Sequence, residues 1–348
     1  MSELFKVPIR NLFILLSYAE NMPELTNSLN DVDEDIITYD FICKQFLKEV
    51  ELVNRRGLVK DYVAKSEPTN RLAGRVIMEE SMPYIIAKKP VVVCEKDEYT
   101  SNIWLNQLIK STLRSITLNR HVKQETKSRS FKYMELMPEV DMPSLTKASF
   151  AKTYFGRHNM HYKWILQIAR LLHEMTLLSH KNGNWSLFSA EIDERALNSI
   201  FEKFLFNFYR LEQQDYQVKA EGMQWKLEGD KTYLPGMRTD VSLIHRKKPE
   251  KIIIDAKFYK NIFQVHHGKS SFHSHNMYQL FTYLMHQSPV LDLRGILIYP
   301  FNGVHVNEKF KWNQRVKVEI VTIDLEQTWK EIYESLIKVI NKEKLEIN

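Results

Sequence analysis

Residues 239–257, Thr-Asp-Val-Ser-Leu-Ile-His-Arg-Lys-Lys-Pro-Glu-Lys-Ile-Ile-Ile-Asp-Ala-Lys, read as two strands joined by a polar turn. Ile252, Ile253 and Ile254 form a continuous apolar run, the pattern of a strand buried on both faces. Asp255 and Lys257 are two apart, so on a strand they share a face. His245 to Glu250 is polar and contains Pro249, which makes it the turn. Folding symmetrically about Lys247 and Lys248 sets Asp240 opposite Asp255, with the two carboxylates about 5 Å apart.

Like charges so placed repel and call for a cation. Two carboxylates, a backbone carbonyl (that of Ala256) and waters suit Mg²⁺, which prefers oxygen ligands and keeps several waters. Lys257 then faces the metal-bound water and a scissile phosphate, to orient or deprotonate the one and neutralise charge on the other. An acid, any residue, then lysine also arises by chance, and Glu125-Thr126-Lys127 is a second case. That one follows no apolar run and has no acidic partner at hairpin distance, so it reads as surface.

Working outward, Gln279 and Tyr283 are four apart on the helix expected over Asn276–His286, hence on one face. Gln279 can donate to a phosphate or order a water, and the Tyr283 hydroxyl can contact the backbone of a bound strand. Glu202, at the edge of the apolar stripe of a helix expected over Asp193–Leu211, is a further candidate metal ligand. Five of the twelve histidines fall between His266 and His286. They lack a helical i, i+4 pair and a nearby cysteine, so a zinc site gives way to a basic loop contacting phosphate, with Lys269 and His273 as the candidate DNA contacts.

The remaining chain sets these residues in a mixed α/β frame. Helices are expected over Pro8–Met22, Tyr39–Val53, Asn102–Leu118 and His161–His180, with strand-like pieces at Leu58–Val63 and Val91–Val93. Asn182-Gly183-Asn184 marks the expected boundary between an amino-terminal domain, 1–185, and a second domain, 186–348. In the latter, strands at 239–244, 251–258, 295–299 and 316–323 and a helix from 326 to about 342 form a sheet flanked by helices. The chain has 348 residues, 44% apolar and 26% charged, with net charge +6 and pI about 9.0, compatible with nucleic acid. No apolar run approaches the roughly 18–20 residues of a membrane span. Cys43 and Cys94 are the only cysteines, which excludes a disulfide framework and fits a cytoplasmic protein. The basic stretch Lys110–Lys132 reads as a solvated face or a DNA or partner contact.

The order Asp240, Asp255-x-Lys257, Gln279-x-x-x-Tyr283 resembles the PD-(D/E)xK nuclease superfamily, in its branch with a Q-x-x-x-Y helix. Nearly the whole chain is similar to the McrC family, the nuclease subunits of McrBC modification-dependent restriction systems. That likeness rests on Val7-Pro-Ile-Arg-Asn-Leu12, Ser17-Tyr-Ala19, Arg55-Arg-Gly-Leu58 and Gly74-Arg75 in the first half. In the second it rests on Arg238-Thr-Asp240, Ile254-Asp-Ala-Lys-Phe-Tyr259, Phe272-His-Ser274, Asn276-Met-Tyr-Gln-Leu280 and Leu297-Ile-Tyr-Pro300. The superfamily's first motif is nominally Pro-Asp, and here Thr239 precedes the acid.

The resemblance implies an endonuclease acting on DNA that contains modified, methylated cytosine, with Asp240 and Asp255 as metal ligands, Lys257 as the catalytic lysine, and Gln279 and Tyr283 in support. It implies a partner ring of the AAA+ class, McrB-like, that reads the modified base and binds and hydrolyses GTP. The amino-terminal half is expected to dock on that ring and stimulate it, with Arg55, Arg56 and Arg75 as candidate contacts. No G-x-x-x-x-G-K-[ST] phosphate loop occurs here, in keeping with GTP being bound by the partner. Pairing of two nuclease domains is expected for a double-strand break. The rival readings are a stand-alone DNA repair nuclease and a non-catalytic DNA-binding adaptor.

Overall fold

A computed structural model describes residues 5–29, 37–182, 189–192, 194–258, 262–266 and 269–341. In chain order, β1 (Phe5–Pro8) leads into α1 (Ile9–Ala19) and a 3-10 turn over Pro23–Leu29. Then come α2 (Tyr39–Arg56), β2 (Asp61–Thr69), β3 (Arg75–Val76), α3 (Met78–Ile86) and β4 (Val92–Thr100). Helices α4 (Trp104–Leu118), α5 (Gln124–Glu135), α6 (Lys147–Ala151) and α7 (Tyr162–Asn182) follow. The rest begins with β5 (Ser189–Ile192), α8 (Glu194–Glu212), β6 (Tyr216–Lys219), β7 (Gly222–Met223), β8 (Met237–Arg238), β9 (Val241–His245) and β10 (Glu250–Ala256). It ends with β11 (Phe263–His266), β12 (Lys269–Phe272), α9 (Ser274–Met285), β13 (Asp292–Pro300), β14 (Asn307–Lys311), β15 (Val316–Ile323) and α10 (Trp329–Ile340). No helix among the described residues is long and apolar enough to cross a membrane.

Two compact units result: residues 1–39 with 175–348, and residues 40–174. This differs from the single cut expected at 185/186, where residues 183–188 lie outside the described residues. The reason is α1, which is apolar on almost every side; Leu12, Phe13, Ile14, Leu15 and Leu16 are all buried. Such a helix needs neighbours all round. It packs along α8, while β1 pairs antiparallel with β5. Asn11 Nδ2 donates to the carbonyls of Leu325 (2.9 Å) and Gln327 (2.8 Å), and Asn207 Nδ2 donates to that of Tyr18 (2.8 Å). The Tyr18 ring meets Phe204 edge-on, and its hydroxyl donates to Glu212 at 2.6 Å.

In the first unit a six-stranded sheet runs in the order β14-β15-β13-β10-β9-β6. Strands β10, β13 and β15 are parallel, and β14, β9 and β6 are antiparallel to their neighbours. Ile252, Ile253 and Ile254 are fully buried, as their run predicts, each contributing about 2 kcal/mol of apolar burial. Ile253, Leu297, Val318 and Ile320 face Leu280 and Leu284 of α9. Gly295 permits that close approach: a Cβ there would lie 2.7 Å from Leu284 Cδ1 and 3.1 Å from Leu280 Cγ. On the other face the Tyr209 hydroxyl of α8 donates to the Leu336 carbonyl of α10 at 3.0 Å.

The unit of residues 40–174 holds the three-stranded sheet β2-β4-β3 and helices including the packed pair α4 and α5. Gly74 enters β3 at φ +82°, and a Cβ there would sit 2.1 Å from the Glu95 carbonyl oxygen, so only glycine fits. Glu125-Thr126-Lys127 lies within helix α5 and so lacks the strand geometry of Asp255 and Lys257. Lys110, at the head of the basic stretch, is buried and donates to the carbonyls of Met137 and Val140, both at 2.6 Å. That end of the stretch is structural.

Candidate active site

The β9–β10 hairpin pairs Lys251 with Ile244, Ile252 with Leu243, Ile253 with Ser242 and Ile254 with Val241. Continuing that register by one step sets Asp255 against Asp240, the arrangement the symmetric turn requires. Asp255 is fully buried at the carboxyl end of β10. Asp240 is half-buried, and its Oδ2 accepts from the Ala256 N–H at 2.9 Å. Lys257 Nζ donates to Asp255 Oδ1 at 3.2 Å and lies 3.1 Å from Oδ2. That Oδ2 is buried, with the Lys257 ammonium as the cation beside it.

The electrostatics follow from this crowding. Burial pushes the Asp255 carboxyl up to about 7; the Lys257 charge opposes the shift, and the Asp240 charge reinforces it. Asp240 is raised by burial too, against the Lys257 charge, the Ala256 N–H and the Asp255 carboxyl. Glu202 on α8 is raised by burial and then by Asp240, which places it within electrostatic reach of the pair. Among the described residues no three His, Cys, Asp or Glu side chains form a group able to hold a metal.

Gln279 and Tyr283 meet as their spacing predicts, but they are turned to each other and to the chain. Gln279 Nε2 donates to the Tyr283 hydroxyl at 2.7 Å, and that hydroxyl donates to the Arg238 carbonyl at 2.7 Å. The pair therefore ties α9 to the peptide two residues ahead of Asp240. Burial raises the Tyr283 pKa, with the charges of Asp255 and Asp240 adding to the shift, so the phenol is within electrostatic reach of both acids.

The chain has 24% identity over 343 residues to an Escherichia coli (strain K12) protein described as type IV methyl-directed restriction enzyme EcoKMcrBC, covering 97% of this chain and 98% of that one. The family described as McrBC 5-methylcytosine restriction system component matches residues 5–300. The chain belongs to the McrBC family. Its fold is similar to that of a chain in a refined half-complex from a tetradecameric assembly of Thermococcus gammatolerans McrB AAA+ hexamers with bound McrC. There the TM-score is 0.52 at 15% identity, covering 95% of this chain and 76% of that one.

In this McrBC-family chain Asn198 carried no signal in the sequence, and Thr239 showed only as a departure from the motif. Asn198, one helical turn before Glu202, accepts from the Phe258 N–H at 2.8 Å and donates to Glu202 Oε1. It links α8 to the chain just beyond Lys257. Thr239 stands where the superfamily motif has proline, and its N–H donates to the Glu221 carbonyl at 3.0 Å. Its hydroxyl accepts from the Glu221 N–H, also at 3.0 Å. Proline could make neither bond.

His273 flanks α9 as its N-cap, with its ring 5.6 Å from that of His275. Lys269 opens β12, but its side chain is outside the described residues, as are His267 and Tyr259. Arg55 pairs with Glu51 at 2.6 Å, and Arg75 lies 3.8 Å from Glu95, both largely exposed; Arg56 is exposed at the end of α2.

Proposed function

We propose that this chain is the nuclease subunit of a GTP-dependent restriction complex that cleaves DNA containing modified, methylated cytosine by Mg²⁺-dependent phosphodiester hydrolysis. The observation that carries the reading is the convergence of Asp240, Asp255 and Lys257 at one sheet end, a fully buried carboxylate beside a second acid and a single lysine. An all-oxygen donor set of two carboxylates and a neighbouring carbonyl fits Mg²⁺, which is commonly held by one or two carboxylates plus waters. Asp240, Asp255 and the Ala256 carbonyl would hold the ion, with Glu202 close enough to act through it or a water. When bound, the ion supplies Lewis acidity and a water of lowered pKa.

The chain's own residues do the remainder. Lys257 brings a fixed positive charge to the face carrying Asp255, where it stabilises charge growing on a phosphoryl oxygen. Tyr283 and Gln279 hold the Arg238 peptide, and so Asp240, at its distance from β10. Their role in this reading is positioning, with Lys269 and His273 left as contacts to the DNA backbone.

The partner in this reading is an AAA+ GTPase ring like the McrB hexamers of the structural relative, and GTP belongs to that ring. The docking surface proposed is in the unit of residues 40–174, where α3 exposes Met78, Met82, Ile85 and Ile86 (60, 46, 43 and 74%). A cluster of that kind marks an interaction site. Arg55, Arg56 and Arg75 are the candidate contacts to the GTPase machinery, and a pair of nuclease domains makes the double-strand break.

The test is cleavage of a cytosine-methylated plasmid by the wild-type chain with its partner, GTP and Mg²⁺. Cleavage that needs all three and spares the unmethylated plasmid is expected. Cutting without partner or GTP would establish a stand-alone nuclease instead, and binding without cutting under every condition would establish an adaptor.

A further inference from the structure

We infer that a basic groove on the reverse of the six-stranded sheet, between β14–β15 and α10, binds the phosphodiester backbone of DNA. The inference rests on the reading above that the chain acts on DNA. A cavity of about 580 Å³ lies there, lined by Lys309 of β14, Lys317 of β15, Lys338 of α10 and the pair Arg294–Glu319. It is not on the side of the acids. Val316, Val318 and Ile320 face α9, so Lys317 and Glu319, alternating with them, project to the opposite face.

The charge in this groove is unbalanced. Among the described residues of the lining Glu319 is the one acid, and it is already engaged: Arg294 donates to it twice, at 2.8 and 3.1 Å. The same guanidinium donates to the carbonyls of Val339 (2.8 Å) and Ile340 (3.2 Å), closing the carboxyl end of α10. Lys309 stands opposite Glu319 across the ladder but forms no ion pair with it, since Arg294 holds both carboxylate oxygens, and Lys317 has no acid of the described lining opposite it. Lys311 stands directly opposite Lys317 across the β14–β15 ladder, and like charges so placed destabilise a sheet unless an anion intervenes. No salt bridge among the described residues engages Lys309, Lys311 or Lys317.

Two features favour a duplex backbone over a small ligand. All five positions of β14 are exposed, so the groove is a track along an open strand. Its charges are lysines, point cations that hold phosphates without reading bases. Its far end, at His305, Thr322 and Ile323, is the carboxyl end of β13 and β15. Strand β10, parallel to β13, delivers Asp255 and Lys257 at that same end. Lys317 and Lys311 stand at the other, amino end of β15, so a backbone tracked along the groove from these lysines emerges at the sheet end that carries the acids.

The measurement is binding of a labelled duplex to the full chain in Mg²⁺-free buffer over a range of salt. It compares wild type with Lys309→Glu/Lys317→Glu, and with Lys309→Gln/Lys317→Gln should the added acid beside Glu319 unsettle the fold. Both variants are checked by circular dichroism and by stimulation of the partner's GTP hydrolysis. Loss of two phosphate contacts makes the slope of log affinity against log salt shallower by about 1.8 and weakens binding roughly ten-fold or more. Wild-type affinity and slope in a folded variant overturn the proposal, as does absence of duplex binding by the wild-type chain. Cleavage by Asp255→Asn with the groove intact is read separately, so the catalytic reading can fail while the groove stands, and the reverse.

Discussion

In the β2–β4 ladder Lys65 lies 3.0 Å from Glu98, with side chains 55 and 44% exposed. At the end of β10 Lys257 lies 3.1 Å from Asp255, with side chains 11 and 0% exposed. The distances are alike and the consequences differ. Water screens the first pair and solvates either partner alone, so such pairs add little to stability. The second pair has lost its water, which shifts the acid's pKa upward in spite of the lysine beside it. Burial, more than proximity, is what turns a pair of charges into a reactive site.

The comparison breaks first, if it breaks, at Arg294. This buried guanidinium serves both Glu319 and the end of α10, so Arg294→Ala is expected to lower stability by about 3–5 kcal/mol in urea unfolding. A loss near zero would show that burial does not govern these charges. Next in size is a pH effect. The folded pKa of Asp255 is raised, so the folded chain holds a proton that the unfolded chain has released between about pH 4 and 7. Without divalent ions, stability should therefore fall as pH rises through that window, and Asp255→Asn should flatten the fall. A profile of the same slope in the variant would remove Asp255 as its source.

A smaller effect sharpens the role given to Tyr283. Tyr283→Phe removes one donor from the Arg238 carbonyl and is expected to lower stability by about 1–2 kcal/mol. Cleavage should weaken without being lost, because a positioning bond is gone and no ligand is. Abolished cleavage would instead make the phenol a direct participant. Lys65→Ala, at the exposed end of the series, should leave the unfolding midpoint unchanged in thermal melts.

How much of this was legible in the sequence follows from how local each signal is. The isoleucine run, the polar turn and Pro249 lie within nineteen consecutive residues and set the register that brings Asp240 to Asp255. The i, i+4 spacing of Gln279 and Tyr283 gave their contact but not their shared partner, since Arg238 is 45 residues from Tyr283. Strand β14 is exposed at every position, so it carries no alternating period to read. The division into units was missed for a related reason. The burial of α1 on all sides can be read as a demand for neighbours, but nothing local says that α8 and the chain near Leu325 supply them. Asn198 is an ordinary helical asparagine until Phe258 arrives beside it.

The central claim, that the buried acids of the β9–β10 hairpin cut DNA, is tested most directly by Asp255→Asn assembled with the partner. Cleavage of methylated plasmid and GTP hydrolysis are followed in the same reaction. The expected result is cleavage lowered by at least about a thousand-fold, because a negative metal ligand at the reacting phosphate is lost. Stimulation of GTP hydrolysis should be unchanged, since Asp255 lies in the other compact unit from the proposed docking surface. Cleavage at the wild-type rate would take Asp255 out of the mechanism and contradict the assignment of this site.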